Sequence, residues 1–423
     1  MKRILPLLIV LGVLCSTLQA QTQVSGSVTL GAAYVNESYY KLSTSTEASL
    51  DASTWDIAFY RENNYDAAVR INDHKAISVF EASIAPSDWS TIDVANIDNW
   101  TQLYNSETEW TTGAFDNGSY SPANGYTFGY GWGEYNFTTH HITGKVIFVL
   151  EYADGTYRKF MIEDYYGGYT FKFATWDGTN WSADTTHTIS NTTNTSNLFN
   201  YYNLETSSEV TVEPASTDWD LLFTKYNTDI MGDGSMMYPV IGVLHHPDIE
   251  VAKNDETTST DTSNLTYNAD INTIGYDWKN YTGSTYVVAT GMAYYVKYAD
   301  GTIYRLVFAT YEGSLTGVIT FNYSDVTNAL DTETFDNDIS FGIYPNPTIN
   351  KQVSLVYDIP TGVNTENKVT IYSVNGAVVF EKTINDTAGF YNTDLDLSSL
   401  TNGMYLLKFQ TGDTSITKKV VLK

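Results

Sequence analysis

The chain has a single cysteine in 423 residues, Cys15, and it falls within the first twenty positions. Those positions carry Lys2 and Arg3, an apolar run from Ile4 to Val13 broken by Pro6, and Leu18-Gln19-Ala20 ahead of Gln21. This is the layout of a cleavable secretory leader, residues 1–20, so the mature chain is expected to begin near Gln21 without any cysteine. A disulfide framework, a thiolate metal site and a catalytic cysteine are thereby excluded, and stability outside the cell must come from core burial. Basic residues are scarce as well. Without Lys2 and Arg3 there are 20 against 49 acidic residues, a formal −29, and nucleic acid or anionic lipid would demand a positive footprint instead. After the leader no apolar run approaches the roughly 20 residues of a spanning helix, so a soluble mature chain is expected. Sustained helical periodicity is missing, as are a Gly-x-Ser-x-Gly elbow, a His-Glu-x-x-His helix and a phosphate-binding glycine loop. Asp56 with Glu62, and Glu163 with Asp164, are neighbours of the kind a glycosidase needs, yet so acidic a chain supplies them by chance. No catalytic residue is assigned, and the chain reads as a non-enzyme.

What is present is aromatic and β-forming: 34 Tyr, 18 Phe and 9 Trp. Strand-like runs recur about every ten residues, among them Val24 to Leu30, Trp55 to Tyr60, Lys145 to Tyr152, Tyr169 to Ala174, Ala293 to Tyr298 and Gly317 to Tyr323, each bounded by Gly, Asn, Asp or Ser. The expected fold class is all-β: two tandem antiparallel domains and a C-terminal Ig-like β-sandwich. The tandem pair follows from a duplication. Tyr39-Tyr40-Lys41-Leu42 followed by Trp55-Asp56 returns as Tyr201-Tyr202-Asn203-Leu204 followed by Trp219-Asp220, and Tyr152-Ala153-Asp154-Gly155 returns as Tyr298-Ala299-Asp300-Gly301. The period is too long for a solenoid, which predicts two whole modules at 21–190 and 198–327. The Thr-, Ser- and Asn-rich tract from Thr185 to Asn197 reads as the linker between them, and Asn254 to Asn264 as a long loop. Trp55 to Tyr152 spans 97 positions and Trp219 to Tyr298 spans 79, so the first copy holds an 18-residue excess that includes Trp100, Trp110, Trp132 and the segment Gly125 to Tyr135. The paired Asp-Gly steps read as type I′ hairpin turns.

After a linker at 328–339, the texture changes at 340–423. Tyr344-Pro345-Asn346-Pro347 opens the segment, Ile371-Tyr372 precedes Asn375-Gly376, Leu400-Thr401-Asn402-Gly403-Met404-Tyr405 forms a turn and strand, and a short basic strand closes the chain. Spacing alone predicts a small β-sandwich. The ordered set of motifs closely resembles the type A C-terminal sorting domain of the type IX secretion system. That resemblance implies secretion through the periplasm and across the outer membrane, recognition of residues 340–423 by the secretion machinery, and release or attachment to surface glycolipid.

The duplicated module, through Trp55-Asp56-Ile57-Ala58-Phe59, Trp219-Asp220, Trp278, the Tyr-Ala-Asp-Gly hairpin and the strand Gly317 to Phe321, resembles the HmuY-like family of secreted haem-binding proteins. The glycine loop Asn227 to Ser235 makes the second copy the better fit; the first has no glycine from Asn63 to Asp73. The resemblance implies capture of haem or a related tetrapyrrole, whose iron needs imidazole or thioether donors in an apolar cleft. The candidates for binding this cofactor are His245 and His246, as metal ligands, with Met236 and Met237 on the preceding loop, and His140 and His141 in the first copy. Trp55 and Trp219 read as core anchors. The alternative is a non-enzymatic surface scaffold, adhesin or glycan-binding protein, in which Trp100, Trp110, Trp132 and Tyr120 to Tyr135 present aromatic faces to sugar rings.

Overall fold

The computed structural model of the protein describes residues 23–61, 66–258, 265–327, 340–359, 367–384, 389–411 and 414–423. The expected leader at 1–20 and linker at 328–339 lie outside them. The chain divides into two compact units, 1–330 and 331–423.

In the larger unit the first copy supplies β1 (Val24–Thr29), β2 (Asn36–Lys41), β3 (Thr46–Asp51), β4 (Ile57–Tyr60), β5 (Val69–Ile71) and β6 (Ser78–Ser83). It continues through β7 (Thr101–Leu103), β8 (Gly133–Tyr135), β9 (Ile142–Gly144), β10 (Ile147–Glu151), β11 (Tyr157–Tyr165) and β12 (Gly168–Thr175). Counted by strand order, with β13 beside β12 as β1 is beside β23, the second copy starts ahead of the expected boundary at 190, with β13 (Thr185–Ser190), β14 (Phe199–Asn203), β15 (Ser208–Val210), β16 (Leu221–Asp229), β17 (Met237–His245) and β18 (Ile249–Asp255). It ends with β19 (Lys279–Tyr281), β20 (Tyr286–Val288), β21 (Met292–Tyr298), β22 (Ile303–Tyr311) and β23 (Val318–Asp325).

These strands do not sort by copy. One lobe combines the sheet β13-β12-β11-β10-β6-β7 with β15-β14-β4-β5; the other combines β1-β23-β22-β21-β18 with β17-β16-β2-β3. The first three strands of each copy therefore complete the lobe built by the rest of the other. Val24 through Thr29 pair with Tyr323 through Val318, and Leu221 sits opposite Tyr40, while Tyr202 sits opposite Ile57. The sheets thus cross the sequence boundary between 190 and 198. Thr185 to Asn197, expected as a linker, opens with β13, which pairs with β12 from Gly168↔Ser190 to Phe173↔Thr185. Its threonines are β-branched and suit an edge strand, and the Thr170 and Thr188 hydroxyls meet at 2.9 Å. Polar composition marks a solvent-facing strand here, not a tether. The loop expected from Asn254 begins after β18, and residues 259–264 of it lie outside the described residues.

The duplicated motifs are the two halves of the clamp that holds this exchange. The Asp56 amide donates to the Tyr202 carbonyl and the Asp220 amide to the Tyr40 carbonyl, both at 2.9 Å. The Asp56 carboxylate accepts from the Leu204 amide at 2.6 Å and pairs with Lys75 at 2.7 Å. In the other lobe the Asp220 carboxylate accepts from the Leu42 amide at 2.8 Å, pairs with Lys41 at 2.7 Å and takes a third bond from the Tyr298 hydroxyl. Both carboxylates are buried, where an ionised group persists only with such partners. The two small sheets are covered on both faces. Ile57 and Phe59 of β4 enter the core of their own lobe, while Ala58 and Tyr60, pointing the other way by the two-residue period, pack between the lobes with Trp55, Trp110, Tyr201, Tyr39 and Trp219. The unit is therefore four layers deep, large sheets outside and small sheets within.

Each Tyr-Ala-Asp-Gly turn holds three residues, not the two of a type I′ turn. The Tyr152 amide donates to Thr156 O and the Gly155 amide to Tyr152 O, with only Gly155 left-handed (φ 84°), and Gly301 (φ 89°) repeats the pattern. This is a type I turn closed by a left-handed glycine; the Asp154 carboxylate, bonded to the Thr156 amide at 2.9 Å, favours it.

The smaller unit is a sandwich of β24 (Ser340–Tyr344), β25 (Gln352–Ile359) and β28 (Gly389–Asp396) against β26 (Asn367–Ser373), β27 (Val378–Ile384), β29 (Gly403–Thr411) and β30 (Thr414–Leu422). Its opening motif is tied to its last strand: Asn346 accepts from the Val421 amide at 2.9 Å and donates to Lys419 O at 2.6 Å. The Tyr405 hydroxyl donates to Thr401 O at 2.8 Å, fixing the corner into β29.

Candidate functional site

The six residues expected to hold haem do not converge. β17 ends on His245, which is fully buried with Nδ1 2.9 Å from His246 O and Nε2 2.8 Å from Asp270 O. His246 accepts from the Asp248 amide at Nδ1 (3.1 Å), which leaves the proton on Nε2, 2.8 Å from Ser216 Oγ. Burial pushes its pKa down to about 4, so it stays a neutral structural group beneath Trp219. Neither imidazole has a nitrogen free for a metal. Met236 is exposed on the loop before β17, and Met237 lines a groove beside Glu107 and Glu109. His140 and His141 stand in the other lobe, His140 in the left-handed region (φ 61°) with Nδ1 2.7 Å from the Tyr135 hydroxyl. His141 is paired with Asp164 at 2.8 Å and stacked on Tyr166 at 4.5 Å. Among the described residues no group of three His, Cys, Asp or Glu side chains is placed to hold a metal ion. The residues present do not fit an iron porphyrin held by the expected pairs.

The tryptophans of the first-copy excess are not platforms either. Trp132 is fully buried and donates to Ala67 O at 3.2 Å, Trp110 donates to His245 O at 2.9 Å between the lobes, and Trp100 packs into a cluster with Trp89. Of the carboxylate neighbours, Asp56 is locked in the clamp, Glu163 pairs with Lys172 and Asp164 with His141. Glu62 lies outside the described residues.

The open aromatic surface lies at the same end of both lobes, and in the first it takes in Tyr130 and Tyr135 of the segment Tyr120 to Tyr135 expected as an aromatic platform. β11 and β22 each carry a bulge, between Ile162 and Asp164 and between Phe308 and Thr310, and each ends on a tyrosine, Tyr165 and Tyr311. Beside each end a short hairpin, β8–β9 or β19–β20, walls a cleft of about 470 Å³. The first-lobe cleft is lined by Tyr130, Tyr135, His140, Ile142, Tyr165, Tyr166 and Gly167. The second-lobe cleft gathers six tyrosines, Tyr34, Tyr238, Tyr276, Tyr281, Tyr286 and Tyr311, with Lys225 and Lys279. Tyr34 reaches it from the exchanged segment and meets the Tyr311 hydroxyl at 2.6 Å, its ring parallel to that of Tyr311. Tyr281 and Tyr238 are 62% and 54% exposed, which leaves ring faces open to a ligand. Trp278, stacked on Phe308 at 4.1 Å, anchors the hairpin from below. Neither cleft is lined by a carboxylate.

Part of these clefts is itself duplicated: Tyr130, Tyr135 and Tyr165 return 146 positions later as Tyr276, Tyr281 and Tyr311, a repeat that goes unnoticed beside the longer Tyr-Tyr and Tyr-Ala-Asp-Gly motifs. Sequence reasoning also missed a buried polar cluster between the lobes. Glu37 receives the Trp55 indole at 3.2 Å and the Thr224 hydroxyl at 3.3 Å, and Glu213 receives the Leu198 and Phe199 amides and the Tyr201 hydroxyl, each at 3.1 Å. Desolvation raises both carboxyls to about 7. They share with Arg70, Tyr39 and Trp219 a void of about 40 Å³, enough for one water and too small for a ligand. Glu37 falls opposite Phe199 in the repeat, and Glu213 opposite Asp51, which caps a turn instead, so the duplication gave no sign of the pair.

Residues 342–423 match the family described as the secretion system C-terminal sorting domain. The protein is exported by type IX secretion. That places it at the cell surface or in the extracellular space. No curated protein matches the chain. A solved structure described as the tetra-tandem repeat in the extending region of a large adhesion protein is 11% identical, covering 66% of this chain and 89% of its own at a TM-score of 0.18. A superposition that poor carries no argument about fold or ligand.

Proposed function

We propose that this exported protein is a non-enzymatic carbohydrate-binding protein of the cell surface, holding sugar against the tyrosine-lined cleft of one or both lobes. The observation that carries the reading is the recurrence of an open aromatic cleft at the same end of both lobes, with phenol hydroxyls at its walls. The C–H face of a sugar carries partial positive charge and suits the negative face of an aromatic ring, while the hydroxyls meet the rim. Among the described residues neither lining includes the pair of carboxylates that glycoside cleavage needs, which favours binding without turnover.

Haem capture, to which the resemblance of the modules points, would have to use another donor set. His140 is the only one of the six candidates on a tyrosine cleft. The test is calorimetric titration of the mature full-length protein with a panel of soluble polysaccharides, alongside a haem titration followed at the Soret band. Saturable sugar binding weakened about tenfold or more in Tyr281→Ala or Tyr166→Ala supports the reading. A Soret shift lost in His140→Ala, with no sugar bound, would overturn it in favour of tetrapyrrole capture.

A further inference from the structure

Six of the nine lysines described between residues 23 and 327 lie within 4 Å of a carboxylate: Lys41, Lys75, Lys145, Lys172, Lys253 and Lys297. Such pairing is expected where acids outnumber bases by more than two to one. Lys159, Lys225 and Lys279 have no carboxylate partner among the described residues, and two of these three line the same cleft. Lys279 is only 8% exposed. Its ammonium donates to the carbonyls of Ile241 and Tyr276 and lies over the rings of Trp278 (4.3 Å) and Tyr311 (5.0 Å). The neighbouring acid, Asp277, is taken by Lys253. Lys225 reaches only the His74 carbonyl, at 2.9 Å, and its backbone faces Ile241 across the β16–β17 ladder, so both ammoniums flank one stretch of strand.

An ammonium taken out of water without a counter-charge is costly, and carbonyls and ring faces offset that only in part. Burial accordingly pulls Lys279 down to about 7, and an anion arriving in the cleft would restore its proton. Building on the carbohydrate reading, we infer that the second-lobe cleft selects anionic sugars, those bearing a uronate carboxylate or a sulfate ester, with Lys279 and Lys225 supplying the missing counter-charge to the anionic group while Tyr281 and Tyr286 cover the ring. The negative field of the rest of the chain does not oppose this at close range, because exposed charges are screened beyond about 8 Å at physiological ionic strength. The first-lobe cleft has no lysine in its lining and offers His140 in place of the two ammoniums.

The experiment is isothermal titration of the mature full-length protein with oligosaccharides of pectate, alginate and hyaluronan, each beside its carboxyl-reduced form, and with sulfated agaran fragments beside their desulfated form. At least one anionic member should bind about tenfold or more tightly than its neutral counterpart. That preference should fall on raising salt, and in Lys279→Met and Lys225→Met alike. Lys225, only partly buried, keeps the test valid should Lys279→Met unfold, and near-ultraviolet dichroism reports which occurs. Carboxylate and sulfate arms identify the source of the charge. Equal binding of charged and neutral partners, or an anionic preference unmoved by both substitutions, would overturn the inference and leave the carbohydrate reading standing. Failure of every sugar to bind would remove both.

Discussion

The two lobes share their scaffold and differ in their clefts. Asp56 and Asp220 make the same backbone bond to the other copy's hairpin and the same contact to its Leu amide, and each recruits a lysine, Lys75 or Lys41, from a different sequence position. Even the ring beside that lysine is repeated: Lys75 lies 5.7 Å from Tyr152 and Lys41 5.5 Å from Tyr298. The clefts keep three tyrosine pairs, Tyr130 and Tyr276, Tyr135 and Tyr281, Tyr165 and Tyr311, and differ in what stands beside them. One adds His140 in a left-handed turn and the other adds two lysines without carboxylates. What duplication preserved is the clamp and a framework of cleft tyrosines, and what diverged is the charge set beside them.

Breaking the shared part should have the largest effect. Asp56→Ala and Asp220→Ala each remove a buried carboxylate that holds a half-buried lysine and the exchanged hairpin, so each should lower unfolding free energy by about 3 kcal/mol in urea titrations, with closely similar values. A large inequality would show that the two clamps are not equivalent.

Next comes the acid pair between the lobes. Glu37 and Glu213 titrate near 7 when folded and near 4.5 when unfolded. Below about pH 4.5 both states are protonated and nothing is lost; as pH rises toward 7 the unfolded chain releases protons that the folded one retains. Each group should therefore cost about 3 kcal/mol by neutral pH. Glu37→Gln and Glu213→Gln should flatten the decline of stability between pH 4.5 and 7, and an unchanged slope would place the carboxyls in contact with water.

A sharper contrast between the clefts comes from pH and sugar affinity. With Lys279 near 7, the anionic preference of the second lobe should weaken about tenfold from pH 6 to pH 8, as the free ammonium is lost, a change that Lys279→Met should abolish. The smallest effect belongs to Tyr34→Phe, which removes one hydroxyl contact to Tyr311 and should cost about 1 kcal/mol or less, read by thermal melting.

Much of the fold was legible in order. The runs at Val24, Trp55, Lys145, Tyr169, Ala293 and Gly317 became β1, β4, β10, β12, β21 and β23, because alternation and bounding turn residues are local properties. The sorting tail was legible because its motifs each make a contact within one small sandwich, as Asn346 does with Val421. The candidate site was not. His245-His246 after an apolar strand looks the same whether the strand end faces a cleft or, as here, the interior, where both rings serve as hydrogen-bond fillers. Threonine-rich Thr185 to Ser190 looks the same as tether or as edge strand.

The sequence by itself determined that this is an exported all-β chain with a duplicated module and a separate sorting sandwich, since composition, period and turn chemistry act within a few residues. Tertiary structure decided which strands meet: β1 pairs with β23 nearly three hundred residues away, and Gly317 (φ 68°) packs so closely on Gly31 that a Cβ would sit 2.4 Å from its carbonyl oxygen. Periodicity fixes which face of a strand is apolar but not the strand beside it. That pairing brings Tyr34 of the first copy to Tyr311 of the second, while the β16–β17 ladder within the second copy sets Lys225 near Lys279, so the cleft wall needs the exchanged segment and its charge needs the folding of the second copy on itself.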